Sequence, residues 1–315
     1  MENPKIIVIL GPTSSGKSDL AVKVARKFNG EIISADSRQV YKDMNIGSGK
    51  ITEKEMLGVP HYLLDVANPK GTFTASQYQK LAKKAIVKIA KKDKLPIICG
   101  GTGLYIDAVI YGYKFPKVPP NQKLRQKLEK LKTEKLFEKL EKIDPRRAKN
   151  IDSRNRRRLI RALEIVLTTK KPIPPLISAN QFSNQRKSHT QNCVWDKSAT
   201  AAVLKIGIRK SPEELKDRIK KRLLKRLKTG IIAEVEKLHE FGLSWEKLDS
   251  FGLEYRFISH YLRKLISRQE MIELILKESY KYSKRQMTWF KRDKNIYWIE
   301  KENQAIELVK NFLLA

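Results

Sequence analysis

Hydrophobic residues cluster in short runs separated by helical stripes. The run Ile6-Ile7-Val8-Ile9-Leu10 has no polar alternation, which predicts a strand over 5–10 covered on both faces in a parallel sheet. Leu20, Val24 and Phe28 then fall on one stripe, predicting a helix over about 16–28. Glu31-Ile32-Ile33-Ser34-Ala35 predicts a second strand ending at Asp36. His61-Tyr62-Leu63-Leu64-Asp65 predicts a third, and Pro96-Ile97-Ile98-Cys99 a fourth that runs into Gly100-Gly101-Thr102-Gly103. Tyr78, Leu81, Ala82, Ala85, Ile86 and Ile89 mark a helix over 75–92. This alternation predicts a doubly wound α/β sheet, in which ligands gather at the carboxyl ends of the strands.

The pattern changes after residue 115. Pro116, Pro119 and Pro120 form a linker, and Leu124, Leu128, Leu131, Leu136, Phe137 and Leu140 then recur at helical spacing among many charges. Residues 171–200, with Pro172, Pro174 and Pro175, lack periodicity and are expected to be a winding connection. Val203 to Ile208 predicts a strand returning to the sheet, and Ser211-Pro212-Glu213-Glu214 is a capping box opening a basic helix. A helix over 270–290, a strand over 296–299 and a final helix complete the pattern. The expected organisation is a core over 1–115, an inserted helical domain over 116–200 and the remainder of the core over 201–315.

Charge adds a partner. Lys and Arg number 66 against 34 Asp and Glu, a formal charge of +32 in 315 residues, which points to a polyanion. Two cysteines supply neither a disulfide framework nor a four-cysteine zinc site. No apolar stretch approaches the roughly 20 residues of a membrane span, and little chain precedes the first strand. A cytoplasmic protein acting as a monomer, away from membranes, is expected.

Gly11-Pro12-Thr13-Ser14-Ser15-Gly16-Lys17-Ser18 sits between the first strand and the first helix, the placement of a phosphate-binding loop. Backbone N–H groups cradle phosphate oxygens there, Lys17 adds positive charge, and Ser18 can ligate Mg²⁺. Such loops are ordinarily read as ATP-binding, and kinases place an Asp at the end of an apolar strand. Here the strand over 96–99 ends in Cys-Gly-Gly-Thr. The nearest acidic candidate, Asp36, lies in the polar cluster Asp36-Ser37-Arg38-Gln39-Val40-Tyr41, which suggests either a second, hydrogen-bonding substrate or an Asx-turn.

The loop and the 36–41 cluster are joined, in order, by Gly58-Val59-Pro60-His61, Gly100-Gly101-Thr102-Gly103-Leu104-Tyr105, Arg161-Ala162-Leu163-Glu164 and Lys284-Arg285-Gln286-Met287-Thr288-Trp289-Phe290. In this series the chain resembles the tRNA dimethylallyltransferases over nearly its whole length. The resemblance implies a P-loop NTPase-like core with an inserted helical domain. It also implies transfer of a dimethylallyl group from dimethylallyl diphosphate to the N6 amine of the adenosine 3′ of the anticodon. The loop, with Gly11 to Ser18, Arg218 and Arg222, would hold the pyrophosphate leaving group, with Mg²⁺ on Ser18.

By the same resemblance Asp36 is the general base, and Thr102, Lys17 and Arg222 complete the reacting centre. Ser37, Arg38 and Gln39 would meet the adenosine. Arg125 and the stretch Arg157, Arg158, Leu159, Ile160 and Arg161 would meet the anticodon stem-loop. The aromatics Tyr282, Trp289 and Phe290 read equally well as core, and His61 as a core or turn histidine. Ser250 to Arg256 departs from the pattern of many bacterial members, and no zinc-finger extension follows, as in the bacterial type. The competing expectations are an adenylate isopentenyltransferase acting on AMP, a P-loop small-molecule kinase, and an RNA-binding protein with a relic loop.

Overall fold

The computed structural model describes residues 4–174, 191–196 and 199–315. Seven strands form one sheet: β1 (Lys5–Leu10), β2 (Gly30–Ser34), β3 (His61–Tyr62), β4 (Leu95–Gly100), β5 (Gln191–Asp196), β6 (Ala199–Ile208) and β7 (Ile296–Ile299). Their order is β3-β2-β4-β1-β6-β5, with β7 also paired to β6. All pairings are parallel except that of β5 with β6.

The sheet is covered on both sides, as its uninterrupted apolar strands require. Ile6, Val8 and Leu10 point into one core with Ile86, Ile89, Ile106 and Val109 from the helices Ala75–Ala90 and Gly103–Ile110. Ile7 and Ile9 point into the other, against Leu20 and Val24 of the helix Lys17–Lys27 and Val309 and Phe312 of the helix Glu302–Leu314. Each fully buried aliphatic side chain contributes about 1.5–3 kcal/mol of burial free energy, so β1 is the anchor of the fold.

Register brings three strand ends together. Leu10 pairs with Gly100, and Ser34 with Cys99, so the segments that follow β1, β2 and β4 emerge side by side. Glycine is required at position 100, because a Cβ there would run into the backbone of Ala35.

The chain divides into two compact units. One comprises Met1–Gly112 with Gln185–Ala315, the other Tyr113–Asn184. The second unit is built from the helices Gln122–Glu129, Thr133–Ile143, Pro145–Ala148 and Arg156–Thr169. Its own core contains Leu128, Leu136, Leu140, Leu159 and Leu163. Asn121 and Asn155 cap the first and last of these helices by accepting from Leu124 N–H at 3.0 Å and Arg158 N–H at 3.2 Å.

Two elements differ from the sequence reading. The strand expected over 61–65 stops at Tyr62, because Leu63 and Asp65 take positive φ values of 65° and 55° that end the extended run. Within the expected connection over 171–200, residues 191–196 form β5 instead. Its polar Gln191, Asn192 and Asp196 hide the strand from a hydrophobicity pattern, and antiparallel pairing with β6 supplies the order. Residues 175–190 of that connection lie outside the described ones.

Candidate active site

The loop after β1 turns sharply into the helix Lys17–Lys27. Gly16 takes φ 88°, a left-handed conformation that favours glycine, and Ser14 takes φ 62°. The hydroxyls of Ser14 and Ser15 are buried without a hydrogen-bond partner. Buried hydroxyls are normally satisfied, so these two are groups that a ligand can engage. Lys17 Nζ donates to the Pro12 carbonyl at 3.2 Å. Burial pushes the Lys17 pKa down, opposed by the Cys99 thiol and Asp36. Cys99 is buried and its Sγ donates to Lys17 O at 3.5 Å; burial pushes its pKa up to about 12. It is a neutral thiol and no nucleophile.

Asp36 and Thr102 sit at the neighbouring strand ends. Thr102 N–H donates to Ala35 O at 3.1 Å, and Thr102 Oγ1 accepts from Ser37 N–H at 3.0 Å. Asp36 Oδ1 accepts from Arg38 N–H at 2.8 Å and Gln39 N–H at 3.4 Å, so the Asx-turn is present. Arg38 and Gln39 are tied inward. Arg38 Nε donates to Phe251 O at 2.7 Å, while Gln39 accepts from Ser34 Oγ at 3.1 Å and donates to Gly49 O at 2.9 Å.

The helix Pro212–Lys228 brings arginines at four-residue spacing along the cleft. Arg218 lies next to the loop, its Nη1 3.8 Å from where a Cβ on Gly16 would stand, and its Nε bonds Glu214 at 2.9 Å. Arg222 keeps 31 % of its side chain exposed and stands 4.0 Å from Glu254. Desolvation, then the neighbouring Arg226, bring its pKa down to about 10, which leaves it cationic at neutral pH. Arg226 is buried and bonds Glu254 at 2.6 Å and Gly47 O at 3.1 Å.

Sequence reasoning missed Arg226 and Glu254. The period of 218, 222 and 226 was a usable signal for the arginine, whereas nothing local marks Glu254. Tyr282 is a cleft-lining residue, its pKa pushed up to about 12 by burial and then by Asp36. Phe290 is 3 % exposed and belongs to the core, and His61 is the half-buried first residue of β3, with its Nδ1 2.8 Å from Val59 O.

One cleft of about 1210 Å³ is lined by Thr13, Ser14, Gly16 to Asp19, Asp36 to Gln39, Arg218, Arg222 and Tyr282 among others. Twelve Lys and Arg residues line it against five Asp and Glu, so it favours anions.

The second unit presents a separate basic surface. Arg157 and Arg158 are exposed at the start of the helix Arg156–Thr169. Leu159 and Ile160, expected among the RNA-contacting positions, have their side chains inside the unit's core at 0 % and 7 % exposure, so they support the helix instead of facing a ligand. Arg125 and Arg161 converge on Glu164, which is fully buried. Its oxygens accept from Arg125 at 2.8 and 2.7 Å, from Arg161 at 2.5 Å and from Asn121 N–H at 2.7 Å. Burial alone would raise this carboxyl, but the bonds from Arg125, Asn121 and Arg161 outweigh it and bring the pKa down to about 2.

The profile of the IPP transferase family matches residues 39–293. A protein of Acetivibrio thermocellus named tRNA dimethylallyltransferase is 42 % identical over 97 % of this chain and 95 % of its own length. The chain belongs to the IPP transferase family. A Staphylococcus epidermidis protein of the same name is 39 % identical over 98 % of this chain and 90 % of its own. Among solved structures, the Bacillus halodurans tRNA isopentenylpyrophosphate transferase aligns with TM-score 0.69 at 32 % identity, over 99 % of this chain and 96 % of that one. A eukaryotic dimethylallyltransferase acting on tRNA aligns with TM-score 0.74 at 26 % identity, over 94 % and 74 %. Among the described residues, no helix is long and apolar enough to cross a membrane.

The cleft holds donors compatible with the Mg²⁺ expected from the resemblance. No group of three His, Cys, Asp or Glu side chains converges among the described residues. Ser18, Asp19 and Asp36 nevertheless share the cleft with the loop. A hydroxyl with few carboxylates fits an ion that keeps most of its water and takes other ligands from substrate phosphates.

Proposed function

We propose that this chain transfers a dimethylallyl group from dimethylallyl diphosphate to the exocyclic N6 amine of the adenosine 3′ of the anticodon in tRNA, giving N6-isopentenyladenosine. One observation carries the reading: the phosphate loop and the carboxylate of Asp36 follow the two strands that flank β4 and open into a single cationic cleft, with Thr102 at the end of β4 bonded to Ser37 N–H. The diphosphate lies in the loop against Lys17, Arg218 and Arg222. These groups stabilise the charge that develops on pyrophosphate as the allylic C–O bond breaks, the electrostatic contribution that usually dominates such catalysis. Ser18 would hold a Mg²⁺, which would supply further charge neutralisation there.

The amine is a weak nucleophile because its lone pair is delocalised into the purine. Asp36 accepts its proton as the new C–N bond forms, a role worth on the order of 10²–10⁴-fold in rate. One carboxylate oxygen builds the turn, which fixes the direction of the other. Tyr282 borders the same space. A paired base cannot enter such a cleft, so the adenosine leaves its stack at a cost of a few kcal/mol. Arg157 and Arg158 contact tRNA phosphates.

Incubation with labelled dimethylallyl diphosphate and either tRNA or AMP tests the proposal. Label is expected in tRNA. Label in AMP alone, or ATP turnover without prenyl transfer, overturns it.

A further inference from the structure

The helix Arg268–Phe290 reaches the phosphate loop and the end of β4 through one stripe. Tyr282, Gln286 and Trp289 stand at i, i+4 and i+7, so they share a face. Tyr282 lines the cleft that the loop and Asp36 share. Gln286, 7 % exposed, accepts from Thr13 N–H with Oε1 at 2.8 Å and donates from Nε2 to Gly101 O at 2.8 Å. Trp289 Nε1 donates to Asp107 Oδ2 at 2.8 Å, with its ring packed over Gly103. Positions 101 and 103 exclude a Cβ because the Gln286 amide and the Trp289 ring fill that space.

We propose that Gln286 is a positioning residue: its amide clamps the phosphate loop at Thr13 to the end of β4 at Gly101, holding the donor's pyrophosphate in register with Asp36 and Thr102. Only a neutral side chain with one acceptor and one donor answers both groups. A carboxylate would set an oxygen against the Gly101 carbonyl and a negative charge beside the pyrophosphate. This amide ties Thr13 to Gly101 beyond the point where the Leu10–Gly100 pairing ends, so its loss loosens the loop against the β4 end. Displacement of reacting atoms by about 1 Å costs on the order of 10²-fold in rate. The inference rests on the function proposed above.

The test compares Gln286→Leu and Gln286→Asn with Ser283→Ala, which removes a buried hydroxyl from the same helix without touching the cleft. For Gln286→Leu, kcat is expected to fall on the order of 10²-fold with KM for tRNA unchanged, and inorganic pyrophosphate to bind about tenfold more weakly. Gln286→Asn keeps the amide but is too short to reach both partners. It is expected to behave alike, and it decides the matter if the leucine variant does not fold. Ser283→Ala is expected to lower the melting temperature and leave kcat intact. Wild-type kcat and pyrophosphate affinity in a folded Gln286 variant overturn the proposal. Absence of transfer by the unsubstituted chain overturns the proposed function instead, and the pyrophosphate affinities still decide the role of Gln286.

Discussion

Replacing Asp36 by asparagine separates the two jobs that its geometry assigns to one side chain. Oδ1 accepts from the N–H groups of Arg38 and Gln39, and an asparagine oxygen accepts the same pair. Asp36→Asn therefore keeps the turn and is expected to melt with the wild type. It cannot take the amine proton, so single-turnover transfer is expected to fall on the order of 10²–10⁴-fold. At 1.36 kcal/mol per tenfold, that is about 2.7–5.4 kcal/mol of barrier. Asp36→Ala loses both jobs: the same fall in rate, plus about 1 kcal/mol of stability from the lost acceptor. Rates measured at saturating donor and tRNA separate chemistry from binding. Wild-type turnover in Asp36→Asn, with loss only in Asp36→Ala, would reduce the carboxylate to a turn former and refute the argument.

Two further predictions concern the helical unit. Glu164 has its pKa lowered from 4.5 to about 2, so its contribution to stability is present above pH 4.5 and lost as pH falls through about 2. That shift corresponds to at most roughly 3 kcal/mol. Glu164→Gln should accelerate hydrogen exchange in the helix Arg156–Thr169 at pH 7, with the difference from wild type vanishing near pH 2; equal exchange at pH 7 counts against the pairing. Arg157→Ala and Arg158→Ala should each reduce the slope of log tRNA affinity against log salt by about 0.7–0.9, measured by filter binding. An unchanged slope removes that arginine from the interface.

The parts of the site carried by contiguous residues were legible in the sequence. The loop Gly11 to Ser18, Asp36 and Thr102 each follow an apolar run, and parallel-sheet geometry alone puts such positions at one edge. What escaped is held by partners distant in the chain. Gln286 reaches Thr13 across 273 positions, and Glu254 pairs with Arg226 from the segment that departs from the family pattern. Charge was visible without its counter-charge: Arg125 and Arg161 read as free cations, yet both close on Glu164, whose burial no pattern of hydrophobicity announces. Leu159 and Ile160 stand beside exposed arginines in sequence, but the helical period turns them into the core.

The most direct test is mass spectrometry of nucleosides from unmodified tRNA treated with the chain, Mg²⁺ and dimethylallyl diphosphate. The account predicts N6-isopentenyladenosine at the position 3′ of the anticodon, appearing only when the donor is present. Unaltered adenosine at that position, from a folded protein that binds both substrates, would contradict it.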